Sequence, residues 1–91
     1  MPRPRKQRRI GHSPKVVYYK PRGVSLCELR EVELRRDEVE AIRLREVEGL
    51  NQVQAGKRMG VSQPTLARIL RGAQKKLGRA VVEGMAIRVE K

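Results

Sequence analysis

The 91-residue chain contains no Phe and no Trp, and its only aromatics are Tyr18 and Tyr19. A core without large rings must be assembled from Leu, Val, Ile, Met and Ala, which favours small packed helices over a large sheet sandwich. One cysteine, Cys27, rules out an intramolecular disulfide. One cysteine with one histidine, His12, also falls short of a cysteine-based metal cluster. No apolar run approaches the roughly 20 residues that span a bilayer. The Arg-rich N-terminus has no apolar stretch behind it and does not read as a secretory signal. The expectation is one small domain in a reducing, cytoplasmic setting, without metal or cofactor.

Charge is abundant and unbalanced. There are 22 basic and 10 acidic residues, for a net charge of +12. An excess of that size points to a polyanion partner, most often nucleic acid. Residues 1–22 carry +8, residues 23–48 carry −3 and residues 49–91 carry +7. Two cationic segments therefore flank a mildly acidic middle.

Residues 1–15 contain Pro2, Pro4, Gly11 and Pro14 and have no apolar periodicity. They read as a flexible basic arm. Such an arm is either a solubilising tail or a segment ordered only on nucleic acid, with Arg3, Arg5, Lys6, Arg8 and Arg9 against phosphates. Residues 16–36 read as an extended segment, with a short β-prone run at Val16–Tyr19 and alternation at Glu31–Leu34. Residues 84–91 alternate again from Ala86 to Glu90. These short strands could form a small accessory sheet or pair between subunits.

Residues 37–83 read as helical. Asp37 is a candidate N-cap for a helix reaching Glu48, with Val39, Ala41, Ile42, Leu44 and Val47 as its apolar positions and Gly49 as its stop. Asn51, with Gln54 three residues on, caps a helix from Gln52 to Met59. Gly60 supplies a tight turn, Val61 plugs it, and Ser62 caps a third helix with Pro64 in its first turn.

On a wheel of ~100° per residue, Leu66, Ile69, Leu70, Ala73, Leu77, Ala80 and Val81 fall within about 60° of one direction. Arg68, Arg71, Lys75 and Arg79 fall within about 40° of the opposite direction. A solvated helix face normally mixes signs. No acidic residue occurs from Gln63 to Val82, so this face is a basic ridge suited to a polyanion.

Gly56, Gly60, Val61, Leu66 and Ile69 have the spacing of a helix-turn-helix. A small residue at 56 avoids bulk near the crossing, Gly60 makes the turn, and Ala55, Met59, Val61, Leu66 and Ile69 fill the angle.

The stretch Asp37 to Gln52, followed by Met59 to Leu70, resembles the fourth-region helix-turn-helix of bacterial sigma factors. More closely, the whole chain resembles a family of small prokaryotic predicted DNA-binding proteins. Its members start Met-Pro-Arg-Pro-Arg-Lys and carry a Tyr-x-Lys-Pro-x-Gly segment, here Tyr18 to Gly23, and a late Val-Glu-Gly, here Val82 to Gly84. The resemblance implies a mainly α, sigma region 4-like helix-turn-helix domain and a role in transcription regulation. It implies no target. The chain departs from the pattern at Gln63, where a basic residue is expected, at Leu66, where an aromatic is expected, and at Gly56, where Ala is more usual. The last departure weakens the helix by about 1 kcal/mol.

The expected function is sequence-selective binding of double-stranded DNA, with the helix from about 63 to 82 in the major groove. Ser62, Gln63, Thr65 and Arg68 are candidates for bases or nearby phosphates, and Arg71, Lys75 and Arg79 for phosphates farther along. A homodimer would double the sequence read. The acidic middle is a candidate contact for RNA polymerase, by analogy alone. A structured-RNA or ribosome-associated role is the alternative, and the shortage of stacking aromatics weighs against it. No enzyme is expected. His12 lies in the arm, Cys27 reads as a half-buried thiol, and the carboxylates of 28–48 alternate with arginines as a salt-linked surface.

Overall fold

The computed structural model describes residues 18–23 and 29–90. The expectations for the arm residues Arg3, Arg5, Lys6, Arg8 and Arg9, for His12, and for Cys27 lie outside them, as do those for Val16 and Val17. The described chain is mainly helical, with a small sheet. In order it runs β1 (Tyr18–Tyr19), β2 (Glu31–Leu34), α1 (Arg36–Ile42, continuing as a π-helical turn Arg43–Val47), α2 (Gln52–Met59), α3 (Gln63–Glu83) and β3 (Ala86–Val89). No helix among the described residues is long and apolar enough to cross a membrane.

The first helix begins at Arg36, and its N-cap is Arg35. Asp37, expected as the cap, is instead the second helical residue. The Glu38 carboxylate takes the cap's work, because its Oε1 accepts the Arg35 backbone N–H at 2.8 Å. Asp37 pairs with Arg35 at 3.3 Å. Both acids lie in the first turn, where the helix dipole favours negative charge.

The final turn of this helix widens, with the Glu48 N–H donating to the Arg43 carbonyl. The wider turn rotates Val47 off the core face, and Val47 is 75% exposed. Arg43 closes on the Glu40 carboxylate with two bonds of 2.8 and 2.9 Å and reaches Glu48 at 3.3 Å. Gly49 follows at φ +75, and the Leu50 N–H returns to the Leu44 carbonyl.

The caps of α2 and α3 match the expectation. Asn51 Oδ1 accepts the Gln54 N–H at 2.8 Å, and Gln54 Oε1 accepts the Asn51 N–H at 3.0 Å. Gly60 ends α2 at φ +72, a conformation that penalises any Cβ. Within the same turn the Val61 N–H donates to the Gly56 carbonyl at 2.9 Å. A Cβ on Gly56 would stand 2.9 Å from the Val61 carbonyl oxygen. Gly56 therefore lets the turn fold back on α2, so its cost in helix propensity is offset by that close approach.

Alanine, leucine and methionine do fill the core. Ala41, Leu44, Ala55, Met59, Leu66, Ile69 and Leu70 form one cluster at the meeting of the three helices, edged by Ile42, Leu50 and Val61. A second, smaller cluster joins Val32, Ala80 and Met85, with Ile87 against it. The first half of α3 thus serves the helical core and its second half serves the sheet.

The three strands form one sheet in the order β1-β3-β2. β3 runs parallel to β2, with Val32 opposite Ile87, and antiparallel to β1, with Tyr18 opposite Arg88. The strands pair within the chain, and β3 is central. It has no free edge to offer a second subunit.

Burial also departs from expectation at Val81 and at three acids of α1. Val81 is 79% exposed, although the wheel places it on the apolar face. Near the end of α3 the neighbouring layer is a narrow sheet, too small to cover the whole stripe. Val81 instead borders an apolar recess of about 280 Å³ with Tyr19, Pro21, Met85 and Ile87. Asp37, Glu38 and Glu40 are buried rather than part of a salt-linked surface. Glu38, at 2% exposure, receives Lys76 Nζ from α3 at 2.8 Å. Lys76 Nζ also donates to the Glu33 carbonyl of β2 at 2.7 Å.

Two changes test this packing. Lys76→Ala leaves the Glu38 carboxylate buried with only the more distant Arg35 guanidinium, 3.8 Å away, as a cation. Losing one partner of a fully buried pair costs about 3–5 kcal/mol, and partial exposure of the lysine reduces that to about 2 kcal/mol, readable as a lower urea midpoint. Gly56→Val forces bulk against the Val61 carbonyl, and overpacking there is expected to cost about 2 kcal/mol in the same titration.

Candidate nucleic-acid interface

The exposed face of α3 is built by the phase of its sequence. Burying Leu66, Ile69, Leu70 and Ala73 turns Arg68, Arg71, Lys75 and Arg79 outward, and all four are exposed. The neighbouring Lys76 lies at the margin of the buried stripe and turns inward to Glu38. Consecutive lysines therefore have opposite fates, one solvated and one structural.

The ridge is not uniform. No carboxylate among the described residues pairs with Arg68, Arg71 or Lys75. Arg79 differs, because its Nε lies 3.3 Å from Glu83 Oε2 one turn later. The expected absence of neutralising acid holds to Val82 and fails at the next residue. Arg30 approaches the same carboxylate at 3.4 Å. The Arg79 hydrogen bond and charge, with Arg30 behind them, hold the Glu83 carboxyl below the usual glutamate range.

At the other end of α3 the polar residues divide by role. Ser62 is the N-cap, its Oγ accepting the Thr65 N–H at 3.3 Å and donating to Thr65 Oγ1 at 2.9 Å. Both hydroxyls are engaged in the cap, and Thr65 is half-buried. Gln63 is exposed, and its Nε2 donates to Gln52 Oε1 of α2 at 3.3 Å. The turn thus brings the first residues of α2 and α3 side by side.

The structure places Ser62 at the cap of α3, Gln63 and Thr65 in its first turn, and Arg68, Arg71, Lys75 and Arg79 along one exposed stripe of the same helix. Its 21 residues give it a length of about 30 Å. It adds groups absent from the sequence expectations. Gln52 touches Gln63, and Lys57 and Arg58 are exposed in the last turn of α2. Lys57 and Arg58 border a shallow depression of about 350 Å³ with Leu50 and Gln54. The +7 of residues 49–91 was a signal for the two cations. Nothing in the spacing alone pointed to Gln52.

The state of Glu83 can be followed directly. A carboxyl with a lowered pKa stabilises the fold above the ordinary glutamate pKa, and that contribution is lost as pH falls through the lowered value. An NMR titration should place Glu83 below ordinary glutamates, with Arg79→Ala moving it back toward about 4.3. An unmoved Glu83 would show that Arg79 does not hold it.

Comparison with known proteins returns one family, described as "protein of unknown function DUF134", matching residues 1–91. Relatives are identical to this chain at about half of the 90 aligned positions. A UPF0251 protein of Moorella thermoacetica is 53% identical over 99% of this chain and 60% of its own length. One from Desulforudis audaxviator is 51% identical over 99% of this chain and 59% of its own. One from Halothermothrix orenii is 47% identical over 99% and 67%. The chain therefore spans about three fifths to two thirds of the length of these relatives. No solved structure matches.

Proposed function

The chain belongs to the DUF134 family, and we propose that it is a sequence-selective binder of double-stranded DNA acting in transcription regulation. In this proposal α2, the turn at Gly60 and α3 work as a helix-turn-helix of the sigma region 4 kind. The N-terminal end of α3 enters the major groove, and the rest of its outer face follows the phosphates. The observation that carries the proposal is the cationic ridge of Arg68, Arg71 and Lys75, exposed and without carboxylate partners among the described residues. A purely solvated face gains nothing from like charges on successive turns, which repel one another.

The groups then take different tasks. Gln63 and Arg68 are the base-reading candidates. Ser62 and Thr65 hold the helix end and support Gln63. Arg71 and Lys75 serve phosphates, with Lys57 and Arg58 of α2 as further cations. Arg79 contributes less, because binding DNA requires it to leave Glu83. The basic arm, through Arg3, Arg5, Lys6, Arg8 and Arg9, adds affinity without sequence preference. One helix reads few base pairs, so a homodimer on a two-fold site would extend the sequence read.

Duplex binding measured across salt concentrations tests this. With about six phosphates contacted, log K should fall against log salt with a slope near −5. Arg71→Ala and Lys75→Ala should each weaken all sequences alike and flatten the slope by about 1. Arg79→Ala should do less than either, and Glu83→Gln should tighten binding by freeing Arg79. Arg68→Ala should relax base preference. A flat salt response overturns the proposal.

A further inference from the structure

The contact between Gln52 and Gln63 carries more than the packing of two helix ends. Gln52 is the first residue of α2 and Gln63 the first of α3, eleven residues apart in sequence. The turn at Gly60 brings them together, and Gln63 Nε2 donates to Gln52 Oε1 at 3.3 Å. A glutamine amide has two N–H donors and one carbonyl acceptor. The bond uses one N–H of Gln63. The second N–H and the carbonyl remain. Gln63 is exposed and Gln52 is half-buried, so the free side of the pair is the Gln63 side.

We propose that Gln52 is a positioning residue that holds the Gln63 amide in one orientation, and that the pair reads an adenine in the major groove. The inference rests on the duplex-binding reading above. Adenine presents an N7 acceptor beside an N6 donor, whereas guanine presents two acceptors, N7 and O6. A Gln63 amide fixed by Gln52 offers one donor and one acceptor, which matches adenine and mismatches guanine. An unanchored amide can turn over. It then exchanges its donor and acceptor positions and loses that discrimination. The selectivity therefore belongs to two residues on two helices, and only one of them touches the base.

The backbone around the pair is fixed independently of it. Asn51 and Ser62 cap the two helices with their own side chains, and neither glutamine takes part in those caps. Removing the Gln52 side chain should leave both caps and the turn in place. A change in base preference without a change in stability would then separate positioning from folding.

The experiment starts from duplexes selected by the full-length protein out of a random pool. At the position where Gln63→Ala abolishes preference, the wild-type protein should favour adenine over guanine by about 5- to 150-fold, the range of one bidentate contact. Gln52→Ala should reduce that ratio by at least fivefold while leaving the salt slope and the melting temperature unchanged. Gln52→Glu keeps an acceptor for Gln63 and should retain the adenine preference, with lower overall affinity from its added negative charge. In the free protein, the side-chain amide protons of Gln63 should shift in Gln52→Ala and stay near their wild-type positions in Gln52→Glu. An undiminished adenine preference in Gln52→Ala overturns the inference, as does a guanine preference at the Gln63 position. Unshifted Gln63 amide protons in Gln52→Ala overturn it without reference to DNA. Failure of the wild-type protein to bind any duplex overturns the DNA-binding reading itself, and the base assignment with it.

Discussion

The ion pair between Glu38 and Lys76 ties α1, α3 and β2 together, alongside the apolar clusters in which α3 meets each of the other two. The Glu38 carboxylate closes the N-terminus of α1 by accepting the Arg35 N–H, and it receives the Lys76 ammonium from α3. The same ammonium donates to the Glu33 carbonyl of β2. One cation is therefore shared by α1, α3 and β2. A Cβ on Gly72 would meet Glu38 Oε2 at 3.0 Å, so the absence of a side chain there makes room for the carboxylate against α3. A buried charge pair is weak evidence for net stability, since desolvation opposes the attraction. Its geometric demand is strong, because few other arrangements of these helices would satisfy both charges.

That constraint bears on the outer surface. Holding Lys76 inward fixes the rotation of α3 about its own axis. The same rotation directs Arg68, Arg71 and Lys75 to solvent and seats Leu66, Ile69 and Leu70 in the helical core. Core and ridge are two sides of one choice of helix phase. The length of α3 adds a second consequence. Its N-terminal half belongs to the three-helix cluster and its C-terminal half supports the sheet. A force applied to the ridge is thus met by two separate cores.

Negative charge is managed at both ends of the same surface. Acidic groups of the middle segment are drawn into α1, where Glu40 takes Arg43 in a two-bond clasp and Glu38 takes Lys76. Glu83 closes the ridge at its far end by engaging Arg79 and Arg30. The cations left unmatched among the described residues of α3 are those nearer its N-terminus. This distribution grades the helix from an open cationic region near its start to a neutralised terminus.

Much of this was legible in the residues alone. Capping side chains act within three or four positions, so Asn51, Gln54 and Ser62 announced the starts of α2 and α3 from local chemistry. The apolar period announced the buried face of α3, and the alternation of β2 announced its buried Val32 and Leu34. Local rules failed where a distant partner intervened. Asp37 looked like a cap because its type favours that position, but Glu38 reached back to the Arg35 N–H while binding a lysine 38 residues away. Val81 had the phase of a core residue, yet its exposure depends on how far a three-stranded sheet extends. The pairing order of the strands, the inward turn of Lys76 and the meeting of Gln52 with Gln63 were decided by tertiary structure alone. Each depends on segments far apart in sequence becoming neighbours, and no periodicity within one segment encodes where the other will stand.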